Sequence, residues 1–198
     1  MRNIIKQIAI CACVIFSTAF FSYGQQLDGV VKIGEQNGYS IYVNSSNEVY
    51  IGIYAKSKNG GVWTEDAERY IYLRNDKYIK EFVSKLTECK NLLVKYEGIA
   101  EANNVSDFTK EMDIRFYYPY SEPTIHKRTG CTTLFFSGKP FYVRKGGKST
   151  VYIDALFIDN YTGITANITF KSVKEIESLI SILSDENISR GIQQCKLF

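Results

Sequence analysis

The stretch Tyr42–Ile51, YVNSSNEVYI, has a close counterpart in Tyr142–Ile153, YVRKGGKSTVYI. Each stretch has a Tyr-Val pair before a polar turn and a Val-Tyr-Ile run after it. Apolar and aromatic residues that alternate on both sides of such a turn are typical of a β-hairpin. The sequence therefore predicts the same hairpin twice, once in each half of the chain.

Each half surrounds its hairpin with the same predicted elements, four strands followed by a helix. In the first half, apolar residues at three- and four-residue spacing predict one long amphipathic helix. These residues are Ile79, Phe82, Val83, Leu86, Cys89, Leu93, Tyr96 and Ala100. In the second half, Ser172 and Glu175 form a capping box ahead of another apolar stripe. Between the halves, the segment MDIRFYY at 112–118 alternates as a strand does.

A direct comparison of the halves favours a duplicated unit. Setting Arg69–Thr87 against Ala166–Ser184 makes five of nineteen positions identical. Chance agreement between two amphipathic strand-helix segments is the alternative explanation. We expect an α+β fold, mainly antiparallel β-sheet with two main helices, in which residues 29–103 and 131–195 are pseudo-repeats of a unit of four strands and a helix.

The N-terminus has the pattern of a secretory signal. Two basic residues, Arg2 and Lys6, precede the apolar run Ile8–Phe21 and a small-residue cleavage site that ends at Gly24. The run is shorter than the roughly 20 residues that span a bilayer. These features predict export rather than membrane insertion.

We therefore expect residues 1–24 to be a signal peptide and residues 25–198 to form a single globular domain. The mature protein is expected to be secreted, or periplasmic if its source is a Gram-negative bacterium. A lipid anchor on Cys13 is the alternative, but Cys11 stands where such sites usually have a small or aliphatic residue.

The charge balance of the mature part argues against a nucleic-acid partner. The chain carries 24 basic and 21 acidic residues, and removal of Arg2 and Lys6 leaves 22 against 21. Nucleic acid and anionic membranes require a basic surface, which so even a balance does not predict.

Three cysteines remain after the signal is removed, Cys89, Cys131 and Cys195. An oxidising compartment permits one disulfide among them. Cys89 lies on the apolar stripe of the predicted helix, where a buried thiol is the commoner outcome. We expect a disulfide between Cys131 and Cys195, with three free thiols as the alternative.

The strand pattern places most strand tyrosines on one face. Pairing Val43 with Val49 puts Tyr42 opposite Tyr50, away from the aliphatic residues. Pairing Val143 with Val151 does the same in the second hairpin. The predicted tyrosine face comprises Tyr42, Tyr50, Tyr54, Tyr70, Tyr72, Tyr142 and Tyr152. Tyrosine is enriched in recognition surfaces, so this face is a candidate ligand-binding surface, although packing between strands also explains such pairs.

The mature sequence contains no established catalytic, cofactor or metal motif. The single histidine, His126, stands five residues before Cys131, but no third, orienting group is identifiable. The segment GGKST at 146–150 resembles part of a phosphate-binding loop, yet Tyr142 stands where that motif requires glycine. We expect no catalytic residue, no cofactor and no metal site.

These observations favour a secreted, non-enzymatic binding or interaction domain whose tyrosine face binds a protein, peptide or glycan. One alternative is a small secreted hydrolase with a cleft near His126 and with His126, Asp113 or Glu111 as acid or base. Another is a structural subunit of a cell-envelope assembly. The substitution His126→Ala separates the first alternative from a binding domain, because only the hydrolase would lose its function.

Overall fold

The computed structural model describes residues 29–59, 62–121, 135–158 and 163–197. Nine strands and three helices lie within these ranges. The strands are β1 (Val30–Gln36), β2 (Tyr39–Asn44), β3 (Val49–Asn59), β4 (Val62–Leu73), β5 (Phe108–Glu111), β6 (Phe116–Ser121), β7 (Phe135–Lys145), β8 (Lys148–Ile158) and β9 (Gly163–Phe170). The helices are α1 (Asp76–Ala102), α2 (Val173–Ile182) and α3 (Asp185–Cys195).

The strands form two antiparallel sheets, which confirms the predicted α+β fold. The first sheet has the strand order β1, β2, β3, β4. The second has the order β6, β7, β8, β9, and β5 also pairs with β7. Two short pairings join the sheets, β4 with β6 and β3 with β9. The structure has the two main helices that the sequence predicts and a third, α3. The prediction of four strands within residues 131–195 is wrong for the described part of that half, which has three, because β7 runs unbroken from Phe135 to Lys145.

The helices cover the aliphatic side of the sheets. Aliphatic side chains of both sheets are buried in one cluster with Phe82 and Leu86 of α1. The helix α3 packs directly on the first sheet, because a Cβ atom added at Gly191 would lie 2.4 Å from Ile33 Cγ2 and Val43 Cγ1. The opposite face of the first sheet, which carries tyrosines, therefore points away from the helices.

The strand-helix junctions of the two halves are built alike. The cap residue of α1 is Asn75 and that of α2 is Ser172, 97 residues later, which is the offset of the sequence comparison. Asn75 accepts a hydrogen bond from the backbone N–H of Tyr78 at 3.2 Å, and Ser172 accepts one from Glu175 at 3.3 Å. The predicted Ser172 cap is confirmed, although the Glu175 carboxylate accepts from the backbone N–H of Lys171 rather than that of Ser172. Common origin of the halves stays a prediction.

The two hairpins differ in register, and the prediction for the second hairpin is wrong by one residue. Tyr142 pairs with Val151, whereas the sequence pattern predicts Val143 as the partner of that valine. The residue opposite Tyr152 is consequently Phe141. Tyr142 and Tyr152 therefore lie on opposite faces of the second sheet.

The turn explains this shift. Gly146 and Gly147 have φ angles of 55° and 75°, as a two-residue turn with positive φ at both central positions requires. Such a turn pairs Lys145 directly with Lys148. Counting back along the ladder from this pair brings Tyr142, rather than its neighbour, to the aliphatic face.

The alternation predicted for 112–118 is present, although only its second half is a strand. Met112, Ile114, Phe116 and Tyr118 are buried, and the residues between them are exposed. Strand β6 begins only at Phe116. The alternation of apolar and polar residues thus determines which side chains are buried even at 112–115, where the backbone does not form a strand.

Several predicted features fall on residues outside the described ranges, namely the signal peptide, His126 and Cys131. Cys195 is a free thiol in this structure, and its Sγ donates a hydrogen bond to the carbonyl of Val43 at 3.2 Å. Cys89 is also free and is buried, as its place on the apolar stripe predicts. The disulfide between Cys131 and Cys195 stays a prediction. Within the described part of the chain, no helix is both long and apolar enough to cross a membrane.

Candidate functional site

Three tyrosines stand side by side across the first sheet, on the face opposite the helices. The register places Tyr42 next to Tyr50 and Tyr50 next to Tyr72, and Lys32 of β1 continues the line beyond Tyr42. We call Tyr42, Tyr50 and Tyr72 the tyrosine row. The first hairpin thus has the predicted register, with Tyr42 opposite Tyr50.

Two rings of the row, those of Tyr50 and Tyr72, stack on each other. They are nearly parallel, at 19°, with centroids 5.1 Å apart. This separation is close to the roughly 4.8 Å between neighbouring strands, so each ring rises above its own strand. The pair therefore turns ring edges and hydroxyl groups, rather than ring faces, toward the outside.

Tyr70 supports the row from beside it. Its backbone partner on β3 is Gly52, which has no side chain to occupy the space between them. The Tyr70 ring meets Tyr42 edge to face, with centroids 6.0 Å apart and planes at 72°. Only 3% of Tyr70 is exposed. It is a packing residue of this face rather than an open contact.

A carboxylate, Glu48, joins the hydroxyl groups of the row. The Tyr50 hydroxyl donates to Glu48 Oε2 at 3.0 Å, and the Tyr72 hydroxyl donates to Oε1. Asn44 Nδ2 donates a third hydrogen bond to Oε2. Asn44 Oδ1 in turn accepts from the backbone N–H of Glu48 at 3.0 Å. The loop between β2 and β3 thereby holds the carboxylate over the tyrosine pair.

These contacts shift the ionisation of all three groups. Burial raises the pKa of Glu48, but hydrogen bonds from Tyr72, Asn44 and Tyr50 outweigh it and hold the pKa below its usual value. Burial and then the hydrogen bond to Glu48 raise the pKa of Tyr72 to about 12. Burial and then the Glu48 charge raise the pKa of Tyr50 as well. At neutral pH the cluster is one carboxylate and two neutral phenols.

Sequence reasoning missed Glu48 and Asn44, although one signal for Glu48 was available. Glu48 stands two residues before Tyr50, so strand alternation places both on the same face. Asn44 ends β2 just after the last pair of its ladder with β3, Val43 and Val49, so strand alternation does not predict its contact with Glu48. Its role depends on loop geometry, which composition alone does not predict.

The other predicted tyrosines do not join this site. Tyr142 is fully buried, with its hydroxyl 2.9 Å from Ser149 Oγ and its ring 5.5 Å from that of Tyr96. Tyr152 is on the outer face of the second sheet and donates to Asn167 Oδ1 at 2.5 Å. The side chain of Tyr54 lies outside the described part of the structure.

The groups proposed for a hydrolase do not form an acid-base pair in the described part of the chain. Glu111 is exposed and forms ion pairs with Arg115, at 3.1 Å, and with Lys139. Hydrogen bonds from Lys139 and Arg115 lower the pKa of Glu111, which makes it a weaker base. Asp113 is also exposed, and His126 is outside the described residues. Within those residues no group of three His, Cys, Asp or Glu side chains is placed to hold a metal ion.

Comparison of the chain with protein-family models, with curated proteins and with solved structures finds no match. The function therefore has to be inferred from the tyrosine row and from Glu48 with its hydrogen-bond donors.

Proposed function

We propose that this protein is an exported, non-enzymatic interaction domain that binds a partner through the tyrosine row. The observation that supports this proposal is the line of Tyr42, Tyr50 and Tyr72 across three strands, on the sheet face opposite the helices. A domain whose helices pack on one side of its sheet leaves the other side for contacts of this kind.

The row has the physical properties of a pre-organised binding surface. Tyrosine side chains have two rotatable bonds, so little conformational entropy is lost when a ligand fixes them. In this protein Tyr50 and Tyr72 are already held by their mutual stacking and by Glu48. A partner therefore meets a surface whose shape does not have to be ordered on binding.

Export and duplication belong to the same proposal. The signal pattern at residues 1–24 would deliver the domain to the cell envelope or the medium, where surface ligands are met. The cap residues of the two strand-helix junctions, Asn75 and Ser172, are separated by the same 97 residues as the aligned halves of the sequence, which favours an internal repeat. Only the first half carries the tyrosine row. The copies, if common in origin, have diverged at the position that matters for binding.

The proposal is tested by screening the folded chain on arrays of peptides and glycans, with substitutions at the two ends of the row. Tyr42→Thr and Tyr72→Thr retain a residue suited to strands, so they remove the rings with little backbone change. Tyr117→Thr is the matched control, since Tyr117 is 54% exposed but lies on β6, outside the row. We expect ligands of the wild type to bind the control equally and the row variants weakly. Equal binding by all variants would refute the proposal.

A further inference from the structure

Glu48 is a charged group without a counter-ion in the described part of the chain. Its three hydrogen-bond donors, Tyr50, Tyr72 and Asn44, are all neutral. The ion pairs formed by lysine and arginine within the described ranges involve other carboxylates. Partly buried carboxylates normally gain a cationic partner, because burial penalises an unpaired charge.

Arg74, which follows β4, does not supply that partner. Its guanidinium donates to the Tyr78 hydroxyl at 3.2 Å and lies over the Tyr78 ring, 5.2 Å from the centroid. The Arg74 charge reaches Tyr72, whose pKa it lowers slightly against the larger raising effects of burial and Glu48. The carboxylate itself is left to neutral donors.

The hydroxyl hydrogens of Tyr50 and Tyr72 are engaged by Glu48, so this cluster offers a ligand acceptors but no donors. A carboxylate has about four lone-pair positions, and three hydrogen bonds reach Glu48. Tyr50 and Tyr72 give their hydroxyl hydrogens to that carboxylate, so their oxygen lone pairs remain for a ligand. A ligand group that fits here donates hydrogen bonds and, to give Glu48 the counter-ion it lacks among the described residues, carries a positive charge. Ammonium and guanidinium groups have that property.

We propose that Glu48, Tyr50 and Tyr72 together bind the guanidinium or ammonium group of an arginine or lysine side chain on a partner polypeptide, an inference that rests on the interaction function proposed above. The row runs from Tyr72 on β4 to Tyr42 on β2, a distance of roughly 10 Å at the usual strand spacing. That length fits several residues of a peptide and exceeds a single small cation. The partner is therefore a basic segment of a protein rather than a free amine.

The decisive probes are a short peptide with one central arginine and the same peptide with citrulline, which is nearly isosteric and uncharged. We expect the full chain to bind the arginine peptide about tenfold more tightly, which corresponds to one charge-assisted contact. Glu48→Gln should abolish this preference. Glu111→Gln is the matched control, since Glu111 is an exposed carboxylate already paired with Arg115 and Lys139, and it should keep the preference.

Each other outcome has a definite meaning. Equal binding of the arginine and citrulline peptides by the wild type overturns the inference, and this comparison needs no variant to fold. Free arginine amide that binds as tightly as the peptide overturns the polypeptide partner. Ligands that bind regardless of charge and are lost in Tyr42→Thr leave the proposed function standing without the inference. Failure of every peptide and glycan to bind overturns both.

Discussion

Tyr50 and Tyr72 stack at 5.1 Å on neighbouring strands and donate their hydroxyl hydrogens to the two oxygens of one carboxylate, Glu48. Stacking alone would fix the rings, but the shared carboxylate also fixes the direction of both hydroxyl groups. The pair is thus a structural unit of the first hairpin and of β4 as well as a candidate binding surface.

Removing one hydroxyl of the pair should cost stability without disturbing the stack. Tyr72→Phe keeps the ring and removes one of the three hydrogen bonds to Glu48, so we expect unfolding to require about 1 kcal/mol less free energy. Tyr72→Phe and Glu48→Gln act on the same contact, and their combined effect should be smaller than the sum of the two. Urea unfolding of both single variants and the double variant measures this coupling. Strict additivity would contradict the contact.

High pH should destabilise the protein through the same residues. The folded pKa of Tyr72 is about 12, above the ordinary value of 10.0, so its contribution is fully present below pH 10 and is lost as the pH rises through 12. The phenolate absorbance of the folded protein should accordingly include tyrosines that ionise well above pH 10. Glu48→Gln should lower the pH at which Tyr72 ionises, because it removes the negative charge. An unchanged titration in that variant would contradict the role of Glu48.

Low pH should also destabilise the protein, through Glu48, whose pKa is shifted down rather than up. Its folded pKa is lowered, so its contribution is present above the unfolded value of 4.5 and is lost as the pH falls through the folded pKa. We expect the stability difference between the wild type and Glu48→Gln to shrink in this acidic window. Urea unfolding at neutral and acidic pH measures the difference. A difference independent of pH would show that the carboxylate charge is unimportant.

Most of the fold follows from periodicity in the sequence. The spacing of Phe82 and Leu86 predicts the buried stripe of α1, and the alternation around Val43 and Val49 predicts the register of the first hairpin. These predictions succeed because one buried face constrains each element. The first-sheet part of the candidate site follows from the same alternation.

The rest depends on geometry that the pattern does not contain. Two registers of the second hairpin, Val143 with Val151 and Tyr142 with Val151, both preserve the alternation of faces. Only the turn, with positive φ angles at Gly146 and Gly147, decides that Tyr142 is buried. A register shift of one residue exchanges the two faces of a strand, so the error of one residue placed on the surface a tyrosine, Tyr142, that lies in the core. The loop contacts of Asn44 with Glu48 were likewise invisible at the level of residue spacing.

Two alanine substitutions test the corrected register of the second hairpin. Tyr142→Ala empties a fully buried position between Tyr96 and Phe108 and should cost about 3 to 5 kcal/mol, as large-to-small core changes do. Tyr152→Ala removes a partly exposed ring from the other face and should cost about 1 kcal/mol. Thermal or urea unfolding measures both. The register that pairs Val143 with Val151 would instead give the two tyrosines similar effects.

The substitution Gly191→Ala, which adds one methyl group, tests the packing of α3 on the first sheet. Gly191→Ala places a Cβ atom 2.4 Å from Ile33 Cγ2 and Val43 Cγ1, so these side chains or the helix itself must shift, at a cost of about 1 to 3 kcal/mol. Gly98→Ala is the matched control, because Gly98 lies within α1 and an added Cβ meets nothing within 4 Å. Helix propensity alone should make that variant about 0.5 to 1 kcal/mol more stable. Opposite signs for the two substitutions in urea unfolding are the expected result. Stabilisation by both would mean that α3 does not rest on β1 and β2, and that the helices do not cover the aliphatic side opposite the tyrosine row.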